Sequence, residues 1–370
     1  MKILIAPDKF KGSLSAQTVA TALSKGLKKS NPNLDIITRP MADGGDGSLE
    51  VLAHYFDLQT IVVEVEDPLF RPINATYKMA GTTAYIEMAA ASGLALLKEA
   101  ERNCMDTSSY GTGELILDAI KKGATTIYLF IGGSATNDAG MGIASALGWC
   151  FYSKSGELLV PNGENLIEIH RIENDFLFYK PTKVNFKVIC DVNNPFYGEN
   201  GAAYVYGPQK GASTEEVKKL DQGLQHLASL LKTNNYADIA DIPGAGAAGG
   251  VGGGAIAFLD ATLVSGIQTF LDLTELETAI KTCDLIITGE GKLDSQTEQG
   301  KVISGVCQLA KKHEKPVIAV CGAADFPIST SLELQAVYTV LSQSKSVDEA
   351  MEKAAEKLAL IGYEIGRQLN

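Results

Sequence analysis

Histidine is scarce in this chain of 370 residues, and the four present (His54, His170, His226 and His313) share no metal-ligand spacing. A histidine-built metal centre is therefore excluded from the expectations. The six cysteines, Cys104, Cys150, Cys190, Cys283, Cys307 and Cys321, include no C-x-x-C pair. Several sit within or beside apolar runs, as reduced, structural thiols of a cytoplasmic protein do. Basic blocks are also absent. Lys and Arg total 32 against 44 Asp and Glu, a net charge of −12, which argues against nucleic acid as a partner. No apolar stretch reaches the ~20 residues of a membrane-spanning helix, so no membrane is expected either. The apolar run at residues 1–6 is cut off by Pro7, Asp8 and Lys9, which suits a strand and not the core of a signal peptide.

What the chain has in quantity is glycine, 37 residues, much of it in loops after apolar runs. Its length suggests two domains, each with its own core. At the N-terminal end, residues 2–6 and 34–39 are expected as strands and 15–29 and 47–56 as helices, with Ser15 as an N-cap. At the C-terminal end, strands are expected at 284–288, 317–320 and 336–341. A helix is expected at 301–312, and an amphipathic one from Val347 with Ser346 and Glu349 as a capping box. Alternating strands and helices imply a parallel sheet. Two strands followed by three fit a flavodoxin-like five-stranded sheet of order 2-1-3-4-5. The expected fold is thus α/β, with this domain (1–56 plus 281–370) split by an inserted second α/β domain (57–280) with a mixed sheet. The insert opens with short strands at 60–66, 73–79 and 83–88 in an antiparallel ribbon. Helices follow at 113–122, 142–147 and 213–232.

The most informative stretch is an apolar strand, residues 126–131, running into Gly132-Gly-Ser-Ala-Thr-Asn-Asp-Ala-Gly-Met-Gly142. Glycines let a ligand approach the backbone N–H groups, Ser134 and Thr136 add hydroxyls, and the following helix start favours an anion. In an open parallel sheet, ligands bind beyond the carboxyl ends of the strands where the order reverses. That places the loops 7–13 (Asp8, Lys9, Lys11) and 288–294 (Thr288, Gly289, Glu290, Gly291, Lys292, Asp294) at the switch point, with 41–47 on the same edge. Asp43 and Asp46 form a carboxylate pair able to hold Mg²⁺ or take a proton, or an ordinary turn. Asp191, after a strand at 186–190, is a candidate base or metal ligand, or part of an Asx turn before Pro195. Gly291-Lys292 is followed by Leu293, so this is not a Walker A loop. Gly244–Gly249 satisfies G-x-G-x-x-G, but no convincing strand precedes it, and close backbone approach, to a ligand or to a packed helix, is the better expectation. Residues 107–113 fit an anion cradle and a plain helix start equally well.

Five stretches, 6–16, 41–47, 132–138, 243–250 and 288–292 with Asp294, Gln296 and Thr297, resemble in order the motifs of the type 1 glycerate kinases over essentially the whole chain. Departures are small: Asp46 stands where many relatives have Glu, and Lys9 where many have Ser. The resemblance implies ATP-dependent phosphorylation of D-glycerate, at the 2-hydroxyl in bacterial members. It also implies a flavodoxin-like domain split by a second. ATP and glycerate are expected to meet in a cleft between the domains. On this expectation Gly132, Gly133, Ser134, Thr136, Asn137, Thr288, Gly289 and Gly291 bind ATP. Asp191, Glu290 and Asp294 hold Mg²⁺. Asp8, Lys11, Arg71 and Asp46 bind substrate, with Lys11 or Arg71 on the glycerate carboxylate. Lys292 acts on the transferring oxygens, and Asp43 or Asp191 is the base. The alternatives are a glycerate 3-kinase, another phosphotransferase, phosphatase or dehydrogenase acting on small hydroxy acids, or a non-catalytic sugar-acid sensor. A homodimer is compatible with the sequence.

Overall fold

The computed structural model describes residues 1–45, 47–174, 178, 183–294, 301–325 and 330–369. The chain divides into two compact units, Met1–Phe56 with Ser265–Asn370, and Asp57–Val264.

The first unit is built on five parallel strands. Their order is Ala336–Thr339, Val317–Cys321, Leu285–Gly289, Lys2–Pro7, Asp35–Thr38, which is 2-1-3-4-5 in sequence. The central strands are apolar at consecutive positions because both faces are covered: Ile3, Leu4, Ile5, Ile286 and Ile287 are all fully buried. The helix Ala16–Ser30 starts at Ser15, whose side chain accepts the Thr18 N–H, and buries Val19, Leu23 and Leu27 at helical spacing. It packs on Ala354–Gln368 so closely that a Cβ at Gly26 would lie 2.0 Å from the Ala359 carbonyl oxygen, and one at Gly362 2.5 Å from that of Leu23.

Three local expectations shift here. The C-terminal helix is two, Val347–Glu352 and Ala354–Gln368. Ser346 caps the first by accepting the Glu349 N–H, but the Glu349 carboxylate reaches the N–H of Lys345, so the capping box is not closed on Ser346. The chain also returns to the first unit at Ser265, earlier than the expected 281. The reason is apolar packing: Ile267 and Leu271, from the helix Gly266–Leu273, meet Gly305 on the helix Val302–Lys312.

The second unit carries a six-stranded mixed sheet of order Thr262–Val264, Asn185–Ile189, Thr126–Phe130, Thr83–Glu87, Pro72–Ala80, Gln59–Glu66. The last three form the antiparallel ribbon, and the others pair parallel. The helix Tyr110–Lys121 begins earlier than the expected 113. Its early glycines serve packing: a Cβ at Gly111 would fall 1.8 Å from the Glu66 carbonyl oxygen. The glycine run within Ala247–Leu259 presses backbone on backbone. Gly249 (φ +72°) could carry no Cβ, since it would stand 2.0 Å from the Thr136 carbonyl oxygen, and a Cβ at Gly254 would stand 1.8 Å from that of Ala139. Close packing thus accounts for the G-x-G-x-x-G pattern.

Candidate functional site

In the first unit the loops leaving Lys2–Pro7 and Leu285–Gly289 emerge side by side at the switch point, because these strands are paired neighbours. Thr288 is fully buried and its hydroxyl donates to the Ala6 carbonyl at 2.8 Å, while the Gly289 carbonyl accepts from the Asp8 N–H at 2.8 Å. A Cβ at Gly289 would sit 1.9 Å from the Val320 carbonyl oxygen. Thr288 and Gly289, expected to bind ATP, therefore hold the strand ends together instead. Gly291 passes so near the next loop that a Cβ there would lie 3.2 Å from the Lys11 nitrogen.

These loops line a cavity of about 400 Å³. Its lining includes the charged residues Asp8, Asp43, Glu290, Lys9, Lys11, Lys292 and Lys301 and the apolar Val340, Leu341, Val347 and Met351. Burial raises the Asp8 carboxyl to about 7, with the neighbouring Asp43 and Glu290 adding to the shift; the Lys9 N–H, which donates to Asp8 Oδ1 at 2.6 Å, opposes it. Asp43 also accepts the Gly45 N–H at 2.9 Å, an Asx turn, so the turn and the cavity wall are the same residue. Glu290 is only 4% exposed. Lys292 reaches into solvent and pairs with Asp325 at 2.8 Å, which raises its already high pKa; Asp294 lies 3.9 Å from both Lys292 and Lys301. Asp46, Gln296, Thr297 and Gly300 lie outside the described residues.

In the second unit the glycine loop leaves Thr126–Phe130, and Asp191 follows the adjacent parallel strand Asn185–Ile189, with Phe130 opposite Ile189. Gly132, Gly133 and Asp191 are exposed on that common strand edge. The rest of the loop turns inward. Ser134 is 7% exposed, and Thr136, Asn137 and Asp138 are fully buried. The expectation that the Ser134 and Thr136 hydroxyls face a ligand is corrected accordingly. Asp138 accepts the Ser109 N–H and hydroxyl, both at 2.7 Å, and the N–H groups of Gly140 and Gly142, both at 3.1 Å. Its own carboxylate thus caps the short helix Met141–Ala146, where the sequence suggested room for an external anion. Burial pushes the Asp138 carboxyl up against the pull of these four bonds. Ser109, from the stretch considered as an anion cradle, is part of this scaffold.

Arg71 is already engaged by two carboxylates: its Nε bonds Asp67 at 2.6 Å and its Nη1 bonds Glu101 at 2.8 Å, which offsets its charge and leaves fewer donors for a substrate carboxylate. The residue that sequence reasoning missed is Lys210. It is 3% exposed, and its Nζ donates to Ser134 Oγ at 2.8 Å and the Thr136 carbonyl at 2.7 Å. It sits in Pro208-Gln-Lys-Gly211, an unremarkable turn, and nothing in that pattern announces a buried charge.

A parallel sheet whose switch point opens on lysines and carboxylates is the arrangement of the α/β enzymes that handle anionic substrates. A profile described as the glycerate kinase family matches residues 3–370. The chain is 42% identical to a glycerate kinase of Halalkalibacterium halodurans, over 97% of each chain. It is also 42% identical to a glycerate 2-kinase of Escherichia coli, over 100% of this chain and 98% of that one. A crystal structure of a protein assigned as glycerate kinase 2 from Salmonella typhimurium LT2 superposes with a TM-score of 0.89 at 39% identity, covering 100% of this chain and 98% of that chain. The chain belongs to the glycerate kinase family, and its activity is the transfer of a phosphoryl group from ATP to glycerate. Among the described residues no helix is long and apolar enough to cross a membrane.

Proposed function

We propose that the enzyme phosphorylates D-glycerate on its 2-hydroxyl, yielding 2-phosphoglycerate and ADP. The E. coli relative's name, glycerate 2-kinase, supports the choice of hydroxyl. The observation that carries the acceptor site is that Asp8, Asp43 and Glu290 and four lysines line one cavity on the sheet's switch point. Phosphoryl transfer asks a protein chiefly for positioning and charge neutralisation. Lys11 binds the glycerate carboxylate, and Lys292 acts on the transferring oxygens. Asp8, whose carboxyl is raised by burial and by the neighbouring Asp43 and Glu290, accepts the hydroxyl proton.

The donor's phosphates are assigned to Gly132 and Gly133 in the second unit, with Asp191 beside them. Among the described residues no three metal-ligating side chains cluster. Mg²⁺ commonly binds through one or two carboxylates plus phosphate oxygens and water, and Asp191 on the glycine-loop edge suits that role. When bound, the ion supplies charge neutralisation on the phosphates. Glu290 and Asp294, expected as metal ligands, are assigned instead to tuning Asp8 and to holding Lys292 and Lys301. Six free cysteines suit a reducing cytoplasm.

Proton-coupled ³¹P NMR of the product formed from D-glycerate and Mg-ATP tests the position. A phosphate split by a single methine proton is expected. Splitting by two methylene protons identifies 3-phosphoglycerate and overturns the proposed position.

A further inference from the structure

Lys210 is an ammonium held out of water, and among the described residues no carboxylate lies within ion-pair distance of it. A buried cation without a carboxylate partner is costly, and neutral acceptors offset little of that cost. Its two acceptors, Ser134 Oγ and the Thr136 carbonyl, belong to the loop whose first two residues, Gly132 and Gly133, are open to solvent. Among the described residues the N–H groups of both glycines have no hydrogen-bond partner within the protein. In the same loop, Thr136 Oγ1 and both polar atoms of the fully buried Asn137 amide also lack one. The loop is anchored from behind: the Gly133 carbonyl accepts the Leu94 N–H at 2.9 Å, and the Ala135 N–H donates to Ser92 at 2.9 Å. A fixed loop with free amide hydrogens outside and an uncompensated positive charge inside is a built seat for an anion.

We propose that Lys210 is the buried counter-charge of an anion seat at Gly132–Gly133, and that it serves as a positioning residue for the donor's polyphosphate, acting through Ser134 and the Thr136 carbonyl. The inference rests on the assignment of the donor phosphates to this loop. Burial lowers the Lys210 ammonium to about 8, while Cys104 and Asp138 are the titratable groups that oppose the shift. Cys104, bordered by Glu216, is itself raised to about 11 and is uncharged in this range; Asp138 is held in its own four hydrogen bonds. Lys210 thus changes charge near pH 8, beside an Asp138 carboxyl that burial also raises. An anion on the seat stabilises its protonated form, so polyphosphate binding weakens as pH rises through that value.

The test uses the full-length enzyme, with Lys210→Met to remove the charge at similar volume and Lys210→Arg to fix it. Lys210→Met is expected to raise the KM for ATP about tenfold or more, to leave the KM for glycerate within about twofold, and to flatten the fall in kcat/KM for ATP above about pH 8. Lys210→Arg is expected to recover part of the affinity without the pH dependence. Wild-type ATP kinetics with an unchanged pH profile in Lys210→Met overturns the proposal. A direct measurement covers a variant that does not fold. In the wild-type enzyme with ¹³C-labelled lysine, the Lys210 Cε resonance is titrated with and without pyrophosphate, and its pKa is expected to rise by about half a unit or more when pyrophosphate binds. No rise with either pyrophosphate or glycerate, while both bind, overturns the lysine's role and leaves glycerate phosphorylation standing. A rise with glycerate alone keeps the anion seat and overturns the donor assignment.

Discussion

Replacing Asp8 by Asn separates the energetics of the candidate site from its chemistry. The folded protein holds the Asp8 proton up to about pH 7, whereas an unperturbed Asp releases it near 3.8. Between those values the folded state binds more protons than the unfolded chain, so stability falls as pH rises across the window, and the deficit persists above it. A shift of this size corresponds to a ceiling of about 4 kcal/mol at pH 8. Asn has a similar shape, its amide oxygen can still accept the Lys9 N–H, and it never ionises beside Asp43 and Glu290. Asp8→Asn should therefore be more stable than wild type at pH 8 by roughly 1–4 kcal/mol, and nearly neutral at pH 3.5. Activity should nevertheless fall by about a hundredfold or more, since the proton acceptor is lost. The single tryptophan, Trp149, lies in the other unit, so its fluorescence is the wrong reporter. Native-state hydrogen exchange of Lys2–Pro7 and Leu285–Gly289, in EDTA at both pH values, reads the first unit directly. A destabilised variant at pH 8, or the same gain at both pH values, refutes the reasoning.

Other substitutions probe separate parts of the account. Lys292→Ala should lower kcat by about a hundredfold with the melting temperature retained, because the side chain reaches into solvent; normal turnover would remove it from the site. Arg71→Ala should leave the glycerate KM within about twofold, as the guanidinium is engaged by Asp67 and Glu101, and a large rise would restore it as a substrate ligand. Gly26→Val should destabilise the first unit by about 3 kcal/mol or more in urea unfolding, given the 2.0 Å approach of a Cβ to the Ala359 carbonyl oxygen; a neutral result would mean that the two helices can move apart.

The sheet of the first unit was legible in advance because strands covered on both faces must be apolar without interruption. Runs such as Ile3–Ile5 and Ile286–Ile287 betray themselves for that reason. Strand order followed from the βαβ alternation, and with it the switch point where Asp8, Asp43 and Lys292 line one cavity. Glycines were harder to interpret. A glycine that admits a ligand and one that admits a neighbouring backbone are identical in sequence, so Gly132 and Gly133 proved open while Gly249 and Gly254 proved packed.

Local composition and periodicity by themselves determined the five strands of the first unit's sheet and the loops that leave them, because burial imposes its pattern on every short segment. Only the tertiary structure decided which way each polar side chain of those loops turns. Asp138 caps its own helix and Arg71 is paired. Lys210, ordinary in its own turn, reaches Ser134 from a residue 76 positions away along the chain. Such partnerships arise from chain segments that meet only on folding, and no local pattern encodes them.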